Sequence, residues 1–319
     1  SEKLRAAGFS QSASALESLG SAVSSEAAAK LSEAILLDHA SLTASKPASS
    51  QAPAAPSPPK IVNTTPAGAK MSAVSFLAPR GKFDLEFREG SLQFESKTTG
   101  AVECKLEHVE LLFELPLPNA NPKVKVGLTA IVLSKPIVVG KSTLSYLVLQ
   151  GKDSDKAEAS VDAAACTAIA PLAQGGKITG PPNDVVSKLV AALTQKAPRK
   201  HDPYTFLSAK QGAAVKCNIK SVHDGFLFPT DAGVWFVNKF VFIPKKEVHW
   251  IEFGRTSAVS TRTFDLTVMT KDGAKHEFSM IEKEEHNRLL EYTKKLKFKT
   301  KEELDKEKAS GVKKEDTGG

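Results

Sequence analysis

Cysteine is scarce in this chain. Cys104, Cys166 and Cys217 are the whole supply in 319 residues, and three thiols this far apart build neither a disulfide framework nor a zinc cluster. Such usage fits a reducing compartment. No apolar run approaches the roughly 20 residues a membrane-spanning helix needs, so no membrane is expected among the partners. The opening "SEKLRAAGFSQ" has neither the basic-then-apolar layout of a secretory signal nor the arginine-rich, acid-poor character of a transit peptide. Ser1 fits a cytosolic start after loss of an initiator methionine.

Catalytic signatures are missing as well. There is no Gly-x-Ser-x-Gly elbow, no His-Glu-x-x-His helix and no Cys-x-x-Cys pair, and the seven histidines stand singly. His108, His249 and His276 fall in strand-like patterns, where a structural histidine is the simpler reading than a ligand. "KPIVVGKST" ends like a phosphate-binding loop at Gly140, Lys141 and Ser142, but the first glycine of that loop would stand where Lys135 is. Without it the backbone cannot wrap phosphate, and the flanking strand patterns read as a hairpin turn. Helix capping accounts for Glu284 and Glu285 without acid/base chemistry. No enzyme, cofactor or metal site is expected.

What is present is ordinary in amount and informative in arrangement. Hydrophobic residues make up 41% and charged residues 25%, values of a globular protein with enough chain for two domains and flexible pieces. The net charge is +7. From Lys196 onward, 24 Lys and Arg face 18 Asp and Glu, so six of those seven charges sit in the C-terminal part. A polyanionic partner is expected to lean that way.

Residues 1–45 are Ala/Ser/Leu-rich, with Leu16, Leu19, Val23, Leu31 and Ile35 at helical steps and one wider gap. These amphipathic helices cannot bury their stripes alone, so the segment self-associates or docks elsewhere. Residues 46–75 open with "KPASSQAPAAPSPPK" and are expected to be an extended, disordered linker. From "GKFDLEF" the period becomes two: Phe83, Leu85 and Phe87 alternate with Asp84, Glu86 and Arg88, and Glu89-Gly90 turns the chain. Further strand-like runs lead to "PPNDVVSKLVAALTQK", a helix with Asn183 or Asp184 as its cap and Val186, Leu189, Val190 and Leu193 on one face.

The same order then repeats. After the basic joint "KAPRKHDP" come seven strand-like segments with turns at Asp224-Gly225 and Asp272-Gly273. A helix closes them, acidic at its start and lysine-rich at its end, with Leu289, Tyr292 and Leu296 on its buried stripe. Trp235 and Trp250 read as core or rim packing. The expectation is a mainly β, α+β chain with two tandem β-sandwich or barrel domains, 76–197 and 198–298, each finished by one helix. That is the pleckstrin-homology (PH) layout. Residues 299–319, with six Lys against six Asp and Glu, are expected to be a frayed helical extension or disordered tail.

One loop carries the arrangement of a binding site. "RTSAVSTRTFDL" joins two strand-like runs, "EVHWIEFG" and "TFDLTVMT", and such strand connections are where binding groups are mounted. Arg255 and Arg262 supply donors for phosphate, carboxylate or carbonyl groups. Thr256, Ser257, Val259 and Ser260 offer a small mixed surface between them.

At this loop and the helix after it, the sequence resembles the double PH histone chaperones of the regulator of Ty1 transposition type. These are related to the structure-specific recognition protein subunit of the FACT complex. The residues carrying the resemblance are "DGFLFPTDAGVWFVNKFVFIP", "RTFDLTVMT" and "HEFSMIEKEEHNRLLEYTKKL", with "KFDLEF", "SLQF" and "FELPLP" in the first block. The Ala-rich stretch 157–176 has no counterpart.

The resemblance implies a nuclear chaperone that binds histone H3/H4 through Arg255, Thr256, Ser257, Val259, Ser260 and Arg262. It also implies double-stranded DNA contact, placed at Arg80, Lys82 and Arg88 of the first domain and Lys196, Arg199 and Lys200 of the joint. A homo-oligomer through residues 1–45 would follow the family pattern. Two other readings remain open: a FACT-like subunit beside a larger partner, and a phosphoinositide-binding PH module.

Overall fold

The computed structural model describes residues 65–118, 121, 123–220, 222–254 and 262–312. They all belong to the unit Pro58–Gly319. The helices expected over 1–45, most of the linker and residues 313–319 lie outside the described residues. Those described are mainly β and form two sheets, each closed by a helix.

The first sheet runs β10-β5-β6-β7-β1-β2-β3-β4, with β8 and β9 attached beside β1. Its strands are β1 (Ala69–Ala78), β2 (Gly81–Arg88), β3 (Ser91–Ser96), β4 (Gly100–Lys105), β5 (Val109–Leu117), β6 (Val126–Val139), β7 (Ser142–Lys152), β8 (Ala157–Val161), β9 (Lys177–Gly180) and β10 (Arg199–Lys200). The alternation read in β2 is real: Phe83, Leu85 and Phe87 are buried and their neighbours are not. Phe76, Phe83 and Phe94 pack as a ring cluster with centroids 5.5–6.1 Å apart.

Strand β1 starts at Ala69, inside the stretch expected to be linker, and Gly68 N–H already donates to Phe87 O at 2.8 Å. A bulge hides this strand's period. Pairing jumps from Met71↔Leu85 to Val74↔Phe83, Ala73 turns to φ 55°, and its N–H bonds Asp84 Oδ1 at 2.8 Å. The Ala-rich stretch 157–176 is ordered too. It supplies β8, which pairs with both β1 and β9, and it buries Ala159, Cys166 and Ile169 in the first core.

Helix α1 (Pro182–Thr194) closes the first sheet with Val185, Val186, Leu189 and Val190 fully buried and Leu193 packed partly against the core. Its cap is Pro181, with Pro182 in the first turn, rather than Asn183 or Asp184. Proline suits this place because the first-turn N–H groups lack partners anyway. Asn183 is instead buried, at 3% exposure. It lies over the cross-strand pair Gly127↔Gly151, where a Cβ would come within 2.7 and 2.1 Å of its side chain.

The second sheet runs β14-β13-β12-β11-β17-β16-β15. It is built from β11 (Val215–Ile219), β12 (His223–Thr230), β13 (Gly233–Val237), β14 (Val241–Pro244), β15 (Val248–Gly254), β16 (Thr263–Thr270) and β17 (Lys275–Glu282). The turn expected at Asp224-Gly225 falls earlier, around Lys220 and Val222, and Asp224-Gly225 lies inside β12. Gly225 serves close approach, since a Cβ there would sit 2.3 Å from Val237 O and 2.5 Å from the Phe236 ring. Gly273 does make a turn, with φ 87°.

Helix α2 (His286–Lys295) packs Leu289 and Tyr292 into the second core, with Leu296 partly buried. Tyr292 OH donates to Thr230 O at 2.9 Å. His108 lies in a 3-10 turn, Leu106–His108, while His249 and His276 lie in strands. Part of the expected tail is helix α3 (Lys301–Val312). Thr300 and Glu303 form a reciprocal capping box, Thr300 N–H to Glu303 Oε2 at 2.8 Å and Glu303 N–H to Thr300 Oγ1 at 3.3 Å. Ile251 N–H donates to Lys299 O at 2.9 Å, so the segment before α3 covers part of the edge strand β15.

A third apolar cluster joins the two sheets. Phe113, Leu115, Leu128, Ala130 and Val148 of the first meet Phe228, Trp235 and Val237 of the second. Trp235, fully buried, stacks on Phe242 at 4.7 Å and meets Phe113 and Tyr146 edge-on at 5.7 and 5.6 Å. The basic joint takes part: Arg199 and Lys200 form β10, parallel to β5, and Arg199 pairs with Asp231 of the second sheet. Lys246 adds an ion pair across the junction to Glu110 at 2.7 Å.

Candidate functional site

The arginine-flanked loop is mounted at the sheet edge between β15 and β16, whose last pair is Gly254↔Asp265. Arg255, Thr256, Ser257, Val259 and Ser260 lie outside the described residues. Arg262 is described and exposed, and its carbonyl accepts Lys283 N–H at 3.0 Å. Trp250, half-buried on β15, carries Lys301 Nζ over its ring at 5.6 Å.

Aromatic packing stiffens the root of the loop. Phe253 and Phe264 lie 6.1 Å apart, and each meets the His286 ring at 5.2 Å. Beside this cluster a groove of about 400 Å³ opens between β15, α2 and α3, lined by Phe253, His286 and Leu290 with Glu252, Glu302 and Asp305 at its polar side. The strand ends on either side of the loop are thus fixed by packing.

The six cations assigned to DNA do not form one patch. Arg80 and Lys82 are exposed around the β1–β2 turn, while Arg88 lies at the opposite end of β2 and pairs with Glu86. Lys70 is the main cause that lowers the Glu86 carboxyl below its usual range, with Arg88 adding to it. The joint lies five strand positions from β2, roughly 24 Å along the sheet at about 4.8 Å per strand. There Lys196 Nζ donates to Val109 O, Arg199 pairs with Asp231, and Lys200 sits 3.2 Å from Glu114.

The remaining chemistry is structural. All three cysteines are buried and free, and burial pushes the Cys104 thiol up to about 11 and the Cys217 thiol up to about 12, far from a reactive thiolate. No cluster among the described residues could hold a metal ion, and no helix among them is long and apolar enough to cross a membrane. Glu285, read in the sequence as helix capping, stands at the cap of α2 but makes no side-chain capping bond: it is 4% exposed and accepts Ala209 N–H at 2.8 Å, tying the segment before β11 to α2.

Two PH-like modules are thus fused through an aromatic junction, with β15 and β16 at one edge of the second sheet joined by the arginine-flanked segment. Residues 67–197 match the SSRP1 PH domain, and residues 213–302 match the middle domain of the Rttp106-like histone chaperones. The chain is 30% identical over 238 residues to the FACT complex subunit POB3 of Candida albicans, covering 73% of this chain and 43% of that protein. It is 30% identical over 224 residues to the FACT complex subunit Ssrp1 of Drosophila melanogaster, covering 69% of this chain and 30% of that protein. Its two modules belong to the SSRP1-like PH and Rttp106-like middle-domain families. The chain spans less than half the length of these curated relatives.

Proposed function

We propose that this chain is a non-enzymatic histone chaperone of chromatin that binds histone H3/H4 through the β15–β16 loop, contacts double-stranded DNA and promotes nucleosome assembly in the nucleus. One observation carries the reading: the segment matching the Rttp106-like middle domain, 213–302, contains both strands that mount the arginine-flanked loop. Arg255 and Arg262 supply charge-assisted donors, and Thr256, Ser257, Val259 and Ser260 form the adaptable surface between them. DNA contact falls to Arg80 and Lys82, which are exposed, with Arg88, Lys196, Arg199 and Lys200 contributing where their in-chain bonds give way. Residues 1–45, whose sequence carries the apolar spacing expected of amphipathic helices, supply self-association.

The test is capture of purified core histones by the full chain and by its Arg255→Ala/Arg262→Ala variant. Retention of H3/H4 over the other core-histone pair, lost in the variant, is expected. Equal capture of both pairs by the unaltered chain would remove the assignment. A second reading is favoured by the names of the relatives: a FACT-type subunit working beside a larger partner. A stable stoichiometric large protein co-purifying with the chain selects that reading, and a self-associated chain holding H3/H4 selects the first.

A further inference from the structure

A lysine-lined groove of about 340 Å³ opens on the second module. Three cation-bearing segments converge there: Lys245 in the 3-10 turn before β15, Lys271 in the β16–β17 turn, and Lys297 and Lys299 between α2 and α3, with His249 of β15 alongside. No carboxylate lines the groove. Lys299 is neutralised by Glu307 at 2.7 Å, whereas Lys245, Lys271 and Lys297 are exposed and have no ion pair among the described residues.

The backbones carrying these charges are fixed before any ligand arrives. Lys245 N–H donates to Ala232 O at 2.8 Å, Lys271 N–H to Glu247 O at 2.8 Å, and Lys297 N–H to Lys294 O at 3.0 Å. Lys297 holds a left-handed φ of 58° just past the end of α2, a place where glycine is ordinarily favoured. A helix C-terminus would normally repel an anion through its open carbonyls. Here the N–H groups of Leu296, Lys297 and Phe298 occupy the carbonyls of Tyr292, Lys294 and Thr293, so that repulsion is blunted.

We infer that this groove is a sequence-independent contact for the phosphodiester backbone of duplex DNA, through Lys245, Lys271 and Lys297. Point-charge ammonium groups without base-reading side chains suit phosphate contact. An acidic peptide is the poorer fit. It would need an apolar anchor, and two of the apolar residues beneath the groove, Val248 and Phe298, are each only 8% exposed. This inference rests on the nucleic-acid half of the proposed function and moves its main contact from the first module to the second.

The experiment measures the affinity of the full chain for a mixed-sequence DNA duplex across a salt series. It compares Lys245→Gln/Lys271→Gln/Lys297→Gln with Arg80→Gln/Lys82→Gln. Each phosphate contact contributes about 0.9 to the log-log salt slope, so the three-lysine groove variant should flatten it by about 2.7 and the Arg80/Lys82 variant by no more than about 1.8. An unchanged slope in the groove variant, with the unaltered chain binding normally, overturns the groove and leaves the DNA reading standing. No duplex binding at any salt overturns both. If polyglutamate binds through these lysines and duplex DNA does not, the ligand is an acidic protein and the inference fails.

Lys297→Gly separates contact from fold. It removes the charge and relieves the left-handed strain, so weaker DNA binding with an equal or higher melting temperature is expected. A lower melting temperature accompanying the loss would make the lysine structural and count against the inference.

Discussion

Trp235 on the second sheet meets Phe113 on the first edge to face, 5.7 Å between ring centroids. Neither ring belongs to its own module's main core; both sit in the cluster that joins the sheets. The modules should therefore unfold together. Trp235→Ala removes the centre of that cluster and should cost about 3–5 kcal/mol, the range for truncating a buried large aromatic. Trp235→Phe keeps the stacking on Phe242 and deletes an indole N–H that has no hydrogen-bond partner among the described residues, so it should cost clearly less. Urea unfolding, followed by near- and far-UV signals, should show one transition in the unaltered protein and two in Trp235→Ala. A single transition at the same midpoint in that variant would show that the junction contributes little.

The same cluster shows where the sequence was readable. Strand β2 announced itself because only one of its faces is buried. Strand β13, "GVWFV", is buried at every position, so its lack of alternation was the sign that something covers its outer face. Strand β1 was obscured by the bulge at Ala73, which breaks the period in mid-strand. Helix α3 was obscured by its composition: it has almost no apolar stripe, and only Thr300 and Glu303, spaced as a capping box, marked its start. Charge was the least legible feature. The partners of Arg199 and Lys246 lie 32 and 136 residues away, so no local reading could tell which cations are already neutralised.

The loop arginines carry a quantitative expectation. Losing charge-assisted hydrogen bonds from Arg255 and Arg262 should weaken H3/H4 binding by about 1–3 kcal/mol. The loop is rooted on Phe253, Phe264 and His286, none of which the substitutions touch, so the melting temperature should stay put. Isothermal titration of the Arg255→Ala/Arg262→Ala variant against H3/H4 measures the first and calorimetry the second. Full affinity in that variant would clear the loop of a role in histone contact.

Glu285 gives the second module a pH response of definite sign. Burial raises its carboxyl above the ordinary 4.5, with Glu282 and Glu284 adding to the rise while the Ala209 N–H and Lys210 oppose it. Between 4.5 and the raised value the folded protein binds more protons than the unfolded chain, so stability falls as pH climbs through that window and then levels. Glu285→Gln can still accept from Ala209 but cannot ionise. The variant should track the unaltered protein near pH 4 and exceed it near pH 7 in denaturant midpoint. Identical midpoints at both pH values would mean that the buried carboxyl is not under this stress.

The pair Gly151 and Asn183 tests how α1 is seated on the first sheet. Gly151 offers no Cβ where one would fall 2.1 Å from Asn183 Oδ1, and its cross-strand neighbour Gly127 leaves space on the other side at 2.7 Å from Nδ2. Gly151→Ala must therefore push the start of the helix away from β7, at a cost of about 1–3 kcal/mol for overpacking. Asn183→Ala alone leaves a gap and an open surface beside Asp184, whose side chain now accepts from Asn183 at 2.9 Å. If the clash is the whole cost, Gly151→Ala/Asn183→Ala should be more stable than the sum of the single losses predicts, by about 0.5–3 kcal/mol of coupling. Strict additivity in urea unfolding would mean that the glycine is needed for its backbone and not for the asparagine lying over it. Because Asn183 O also accepts from Thr129 Oγ1 at 3.2 Å, through its backbone and not its side chain, the double variant keeps that tie, and recovery can be read as relief of packing alone.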